Sequence, residues 1–410
     1  MATTTAVPKT RIPGGSFLLV DRPASEVFTP EDFNEQHQLI AQTADDFAIK
    51  EVLPVADRME HKDWALTREL LKKTADLGLT SVDIPEEYGG AEMDKVSSCI
   101  LADHMAKYAG FAVSWGGHTG IGTLPIVFFG TEAQKKKYLP KLATGEMIGA
   151  YALSEASAGS DALSCRARAQ LAPGGKHYVL NGEKMWITNG SLAGVAVVWA
   201  KCEDDRIRGF LVEKGTRGFK TWDVHGKLSL RASITSGLVF NDCEIPAENM
   251  LPGVDGLKGP LSCLTQARYG IGWGAIGAAM ACYDTALQYS KTRKQFQNKP
   301  IASHQLVQDK LVFMITEISK AQLLALHVGR LKDEGRLDPT HVSMLKMNNV
   351  WMAMETARKA RDILGANGIV DDYCLMRHMN NLESVYTYEG THDIHRLIIG
   401  ERITGIPGYF

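Results

Sequence analysis

Apolar positions along this chain keep helical spacing at both ends and strand spacing in the middle. Near the start, Thr29-Pro30-Glu31-Asp32 places a capping threonine before a proline at the first helical position, with acids in the first turn. Phe33, Ile40, Ala44 and Phe47 then recur at three- and four-residue multiples, which predicts an amphipathic helix. Helical patterning continues to about Met147. Between about Gly149 and Val254 the period shortens. His177 to Leu180, then Asn181-Gly182, then Glu183 to Ile187 predicts a hairpin with a two-residue turn. Val195 to Ala200, Gly209 to Val212 and Gly237 to Phe240 are further strand candidates, rich in β-branched and aromatic residues. After about Pro260 helices return. Val307, Leu311, Met314, Ile318, Ala321, Ala325 and Val328 step by fours and threes, the seam of a long packed helix. Pro339 opens another helix that runs to Gly365, and a last one spans His392 to about Thr404.

The expectation is an α+β multidomain chain of helices, a compact β module, then helices. Its proposed boundaries are 29–148, 149–258 and 259–410. Loops from such layers converge on one cleft, a usual seat for a large cofactor. A length of 410 residues suits two or three domains. A formal charge of −2, with no basic stripe, argues against a nucleic-acid partner. Seven scattered cysteines without a CxxC pair fit a reducing compartment rather than a disulfide framework or zinc site. No apolar run looks long enough to span a bilayer. The first twenty residues carry Lys9 and Arg11 and no acid, faintly like a transit peptide. Pro8 and Pro13 break any helix there, so the reading is a disordered tail.

Four stretches carry candidate chemistry. Tyr388-Glu389-Gly390-Thr391 sets a carboxylate between an aromatic and a glycine. Apolar walls would raise its pKa toward that of a general base, although Glu-Gly pairs also simply punctuate helix ends. Tyr151 to Asp161, which contains Leu153, Ser154, Gly159 and Ser160, starts as a strand and ends in small polar residues. It could hold an extended polar ligand or be a surface turn. Trp186-Ile187-Thr188 could wall and hydrogen-bond a flat ring, or Trp186 could pack in the core. Arg293 and Phe296, with Gln305, offer a fork for phosphate and a ring for adenine, or only a solvated basic loop. Two further patterns are decoys. Gly272 to Gly277 spells GxGxxG but follows no hydrophobic strand, and close helix packing explains the glycines better. Glu389 and His392 match a di-iron Glu-x-x-His, but no second such motif exists and Gly390 interrupts the helix.

Taken jointly and in order, these stretches resemble the acyl-CoA dehydrogenase family from about Thr29 to Ile406. Arg208 to Gly215 and Thr387 to His395 look most like glutaryl-CoA dehydrogenases. His118-Thr119-Gly120 and Tyr138 to Leu142 look more like long-chain members. The resemblance implies an N-terminal helical domain, a middle β-barrel domain and a C-terminal four-helix bundle, with FAD held between them. Carried over by position, Tyr151, Leu153, Ser154, Gly159 and Ser160 would line the flavin or the thioester end of the substrate. Trp186, Ile187 and Thr188 would flank the isoalloxazine. Arg293, Phe296, Gln305, Asp362 and Ala366 would grip pyrophosphate and adenosine, in part from a neighbouring subunit. Thr391 would touch FAD, Leu264 and Arg268 would contact CoA, and Tyr388 and Gly390 would flank the substrate.

Glu389 would then be the base and the flavin the hydride acceptor in converting an acyl-CoA to a trans-2-enoyl-CoA. An electron-transfer flavoprotein would be the acceptor, in a homotetramer of the bacterial cytoplasm or mitochondrial matrix. One departure bears on substrate. Ala112 stands where glutaryl-CoA dehydrogenases carry an arginine for the far carboxylate, so no decarboxylation is expected. Glycines at 116, 117, 120 and 122 would either widen an apolar acyl tunnel or let helices pack closely. Rival readings are a decarboxylating glutaryl-CoA enzyme, an oxidase or monooxygenase on the same fold, and a silent CoA-binding subunit.

Overall fold

The computed structural model describes residues 33–408. The Thr29–Asp32 cap and the tail before it lie outside these. The first helix, α1 (Glu35–Phe47), is capped instead by Asn34, whose side chain accepts from the His37 N–H. Its predicted apolar residues Ile40, Ala44 and Phe47 are buried. Short helices α2 (Ala56–Glu60) and α3 (Trp64–Asp76) lead to α4 (Lys95–Met105) and α5 (Ala109–Gly116). Helix α5 widens into a π turn over Gly117–Ile121 before α6 (Leu124–Phe129) and α7 (Glu132–Ala143). The Thr131–Gln134 capping box starts α7.

The middle of the chain is a curled seven-stranded sheet: β1 (Gly149–Ala152), β2 (Arg168–Leu171), β3 (His177–Thr188), β4 (Val195–Lys201), β5 (Ile207–Glu213), β6 (Phe219–Asp223) and β7 (Thr235–Pro246). Strand β4 pairs with β1 in parallel and with β5 antiparallel. Strands β2, β3, β7 and β6 continue antiparallel, and a single Arg168–Lys201 contact ties β2 back to β4. The hairpin expected at Asn181-Gly182 is absent, because β3 runs straight through it. A two-residue hairpin of that type needs left-handed backbone at both central residues, and here only Gly182 has positive φ (133°). The pair forms a bulge against β7, fixed by Asn181 and Asp242 exchanging side-chain and backbone hydrogen bonds. Strands β2 and β6 were not legible, being short and largely exposed.

The C-terminal part packs α8 (Lys258–Thr292), α9 (Gln305–Asp333), α10 (Pro339–Leu364), α11 (Leu375–Thr387) and α12 (His392–Thr404). A two-stranded ribbon, β8 (Lys294–Gln295) with β9 (Lys299–Pro300), bridges α8 and α9. The GxGxxG stretch lies inside α8. A Cβ on Gly277 would meet the Asp103 carbonyl of α4 at 2.0 Å, so these glycines serve helix packing. One core joins α1, α4 and α5 to the bundle through Phe47, Ile100, Phe111, Tyr269, Ile276, Met314 and Leu345. Another seats α6 and α7 on the sheet through Ile126, Tyr138, Val197 and Trp199.

One expectation needs correcting. Among the described residues, α9 is long and apolar enough by length and composition to cross a membrane, with mean hydropathy 1.4 over its best window. Its inner face, Met314, Ile318, Ala321 and Ala325, is buried in the bundle, whereas Leu306, Val312 and Ile315 face outward.

Candidate active site

A cavity of about 180 Å³ opens where α4, α5, α8 and α11 meet the end of β3. By volume it would hold on the order of a dozen waters. Glu389, Tyr388 and Thr188 line one part of it. Ala102, Ala106, Ala109, Ala112, Gly270 and Gly274 make one stretch of the wall small and apolar, whereas Asp83, Lys95, Gln266, Lys332, His378 and Asn381 add polar groups elsewhere. Gly116 and Gly120 also line it, and a Cβ on either would meet nothing within 4 Å, so both face open space. Gly117 and Gly122 differ, since a Cβ there would strike Thr188 or Gly149. Two of these glycines therefore face open cavity, while the other two let the π turn pack on the ends of β3 and β1 rather than on another helix.

Glu389 lies in the short turn 388–391 between α11 and α12. It has positive φ (51°), as does Gly390 (96°). Left-handed backbone at a non-glycine residue costs about 1–3 kcal/mol and needs outside support. Two buried cations supply it. Lys346 Nζ on α10 donates to the carbonyls of Tyr388 (3.1 Å) and Gly390 (2.8 Å). Arg268 Nε on α8 donates to the Glu389 carbonyl (2.6 Å). Three consecutive carbonyls are thus turned inward onto positive charge. A side chain on Gly390 would crowd the His395 ring at 3.1 Å.

The Glu389 Oε2 atom is buried with no hydrogen-bond partner, and among the described residues the Glu389 N–H has no acceptor. Burial pushes the carboxyl up from its ordinary 4.5 to about 7, against the downward pull of Arg268 and Lys346. Burial likewise pulls Lys346 down to about 7 and His395 to about 3. A carboxyl tuned this way, facing a cavity, has the properties of a general base near neutral pH.

The Trp186 to Thr188 segment ends β3 at a second register break. Trp186 has left-handed backbone (φ 66°) and is 58% exposed, so it is not a core residue; the bulge turns its ring outward. Ile187 is buried in the sheet interior. Asn189, also left-handed, anchors the turn by donating to the Ser114 carbonyl at 2.8 Å.

In the tract after β1, Tyr151 and Leu153 are buried, Ser154 is half-buried, and Gly159 and Ser160 are exposed. Glu155 organises this tract: its carboxylate accepts from the Arg166 and Ala167 N–H groups and pairs with the fully buried Lys184 at 2.8 Å. Leu264 lies in the core beside this tract, and Arg268 is turned to the Glu389 carbonyl. Thr391 caps α12 through the Ile394 N–H. Arg293, Phe296, Gln305, Asp362 and Ala366 are exposed and lie apart from the cavity wall. Asp362 pairs with Lys310, and Phe296 sits edge-on to His304.

Sequence reasoning missed Lys346, Lys184 and the two further lysines lining the cavity. Of the latter, Lys95 pairs with Asp83, and Lys332 lies 4.6 Å over the Tyr269 ring. The available signal for Lys346 was a lone charge on the apolar stripe Val342, Val350 and Ala353.

The site suits the flavin that the resemblance implies. An unpartnered buried carboxyl oxygen and Thr188 line one cavity, and a tryptophan is presented by strained backbone two residues away.

The chain matches three protein families, described as the acyl-CoA dehydrogenase N-terminal domain over residues 34–146, middle domain over 150–243 and C-terminal domain over 255–404. It is 37% identical over 408 residues to a probable acyl-CoA dehydrogenase of Bacillus subtilis (strain 168), covering 94% of this chain and 68% of that one. A crystal structure of glutaryl-CoA dehydrogenase from Mycobacterium smegmatis superimposes with a TM-score of 0.89 at 41% identity, covering 93% of this chain and 97% of that one. An acyl-CoA dehydrogenase from Bacillus anthracis, complexed with FAD, does so with a TM-score of 0.90 at 37% identity, covering 96% and 71%.

Proposed function

The chain belongs to the acyl-CoA dehydrogenase family of FAD-dependent oxidoreductases, and on that premise we propose that it converts an apolar acyl-CoA thioester to its trans-2-enoyl-CoA. The observation that carries this reading is the buried, unpartnered Glu389 carboxyl facing the same cavity as Thr188.

With the thioester beside Glu389, the carboxylate takes a proton from the carbon next to the carbonyl. Bound FAD supplies the acceptor for the hydrogen that leaves the β-carbon with its electron pair. The free Glu389 N–H is available to the thioester oxygen, where enolate charge develops. Arg268 and Lys346 hold that N–H and the carboxyl in one fixed geometry by gripping the neighbouring carbonyls. Trp186 and Thr188 would flank the flavin ring. Arg293, Phe296, Gln305, Asp362 and Ala366, exposed on one subunit, would meet the adenosine end of FAD across a subunit contact in a tetramer. Leu264 and Arg268 would then act behind the CoA path rather than in it.

The small wall residues support a long or branched apolar acyl group. Ala112 lines the cavity at the position where the resemblance expects an arginine, and of the two lysines in the wall Lys95 is engaged by Asp83 and Lys332 lies over the Tyr269 ring, which supports a non-decarboxylating reaction. Electrons would pass to an electron-transfer flavoprotein in the bacterial cytoplasm. Mixing the purified yellow protein with acyl-CoA without oxygen should bleach its flavin absorbance. Stoichiometric peroxide in air would favour the oxidase reading, and an inert flavin with every acyl-CoA would refute the proposal.

A further inference from the structure

Lys346 is 1% exposed, yet among the described residues it makes no ion pair. Its ammonium is spent on two backbone carbonyls, those flanking Glu389. Neutral donors could satisfy carbonyls at far less desolvation cost than a buried charge. The groups facing it are Arg268 from α8, Tyr388 and Glu389 from the turn after α11, and His392 and His395 from α12. Glu389 is the only acid among them. The positive end of this clamp therefore acts on one carboxylate.

We infer that Lys346 is a positioning residue for the base: it fixes the left-handed Glu389-Gly390 turn, and its charge favours the carboxylate form of Glu389. This deepens the dehydrogenase reading and rests on it. Burial drags the ammonium down and Glu389 draws it back up, so the two titrate against each other near neutrality.

The test uses the full-length FAD-loaded enzyme with Lys346→Gln, Lys346→Met and Lys346→Arg, and follows kcat/KM for a straight-chain acyl-CoA from pH 5.5 to 9.5. Loss of the charge should move the acidic limb, which reports the free base, upward by roughly one pH unit. Gln and Met variants would then lose activity at every pH because the turn is freed, Met more than Gln, and a further factor of about ten below that limb, with Arg restoring the wild-type midpoint. A uniform loss at every pH with an unmoved midpoint, or a superimposable profile, would overturn the inference.

A second readout needs no turnover. The stability advantage of Glu389→Gln over the wild type should level off at a higher pH in a Lys346→Gln background than in the Lys346 background. An unmoved plateau counts against the inference even if the wild type dehydrogenates nothing, and a wild type that bleaches with no acyl-CoA counts against the functional reading alone.

Discussion

Replacing Glu389 by Gln should stabilise the protein, and by an amount that depends on pH. In the folded protein burial lifts this carboxyl from 4.5 to about 7. The unfolded chain releases the proton near the ordinary value while the folded chain keeps it. Stability attributable to this group is therefore intact below about pH 4.5, falls as pH rises toward 7, and is flat above. At about 1.36 kcal/mol per pH unit the full cost is about 3 kcal/mol. Glutamine has nearly the same shape and cannot ionise, so it escapes that cost. The expected gain is about 3 kcal/mol at pH 8 and about 1 kcal/mol at pH 5. Urea unfolding at both pH values, with equal FAD, measures the difference. A gain that is equal at pH 5 and 8, or a loss that grows with pH, would refute the burial argument.

Other outcomes follow from the same geometry. Lys184→Met leaves the Glu155 carboxylate buried without its partner and should cost about 3–5 kcal/mol, read as a lower unfolding midpoint with weakened flavin retention. Gly120→Leu places a side chain in open cavity, so the ratio of kcat/KM for a twelve-carbon to a four-carbon acyl-CoA should fall at least about tenfold. Glutaryl-CoA should be a poor substrate of the wild type with no release of carbon dioxide, and Ala112→Arg should improve its binding. Measured decarboxylation by the wild type would contradict the role given to Ala112.

The order of helical, β and helical segments was readable because the spacing of apolar residues changes twice along the chain, and the Val307–Val328 seam holds helical spacing over about six turns. The α9 seam from Met314 to Val328 is buried as its spacing predicted. The Asn181-Gly182 hairpin failed because its dipeptide signal reports local preference, whereas the pairing of β3 along the length of β7 decides the outcome. At the site, Glu389 was legible from its neighbours and Thr188 from its motif. Lys346 and Arg268 were not legible as a clamp, since they lie 43 and 121 residues from the carboxylate and only tertiary packing brings them to its carbonyls. Glu155 passed as one more polar residue in a flexible tract. Its role depends on Lys184, a buried lysine at the end of the polar run 181–184 of β3.

The most direct measurement is an anaerobic visible-spectrum titration of wild type and Glu389→Gln with acyl-CoAs of graded length. The account predicts that the wild type loses its flavin colour with apolar chains, while the variant stays yellow although it still binds them. A variant that bleaches at close to the wild-type rate would show that another group removes the proton.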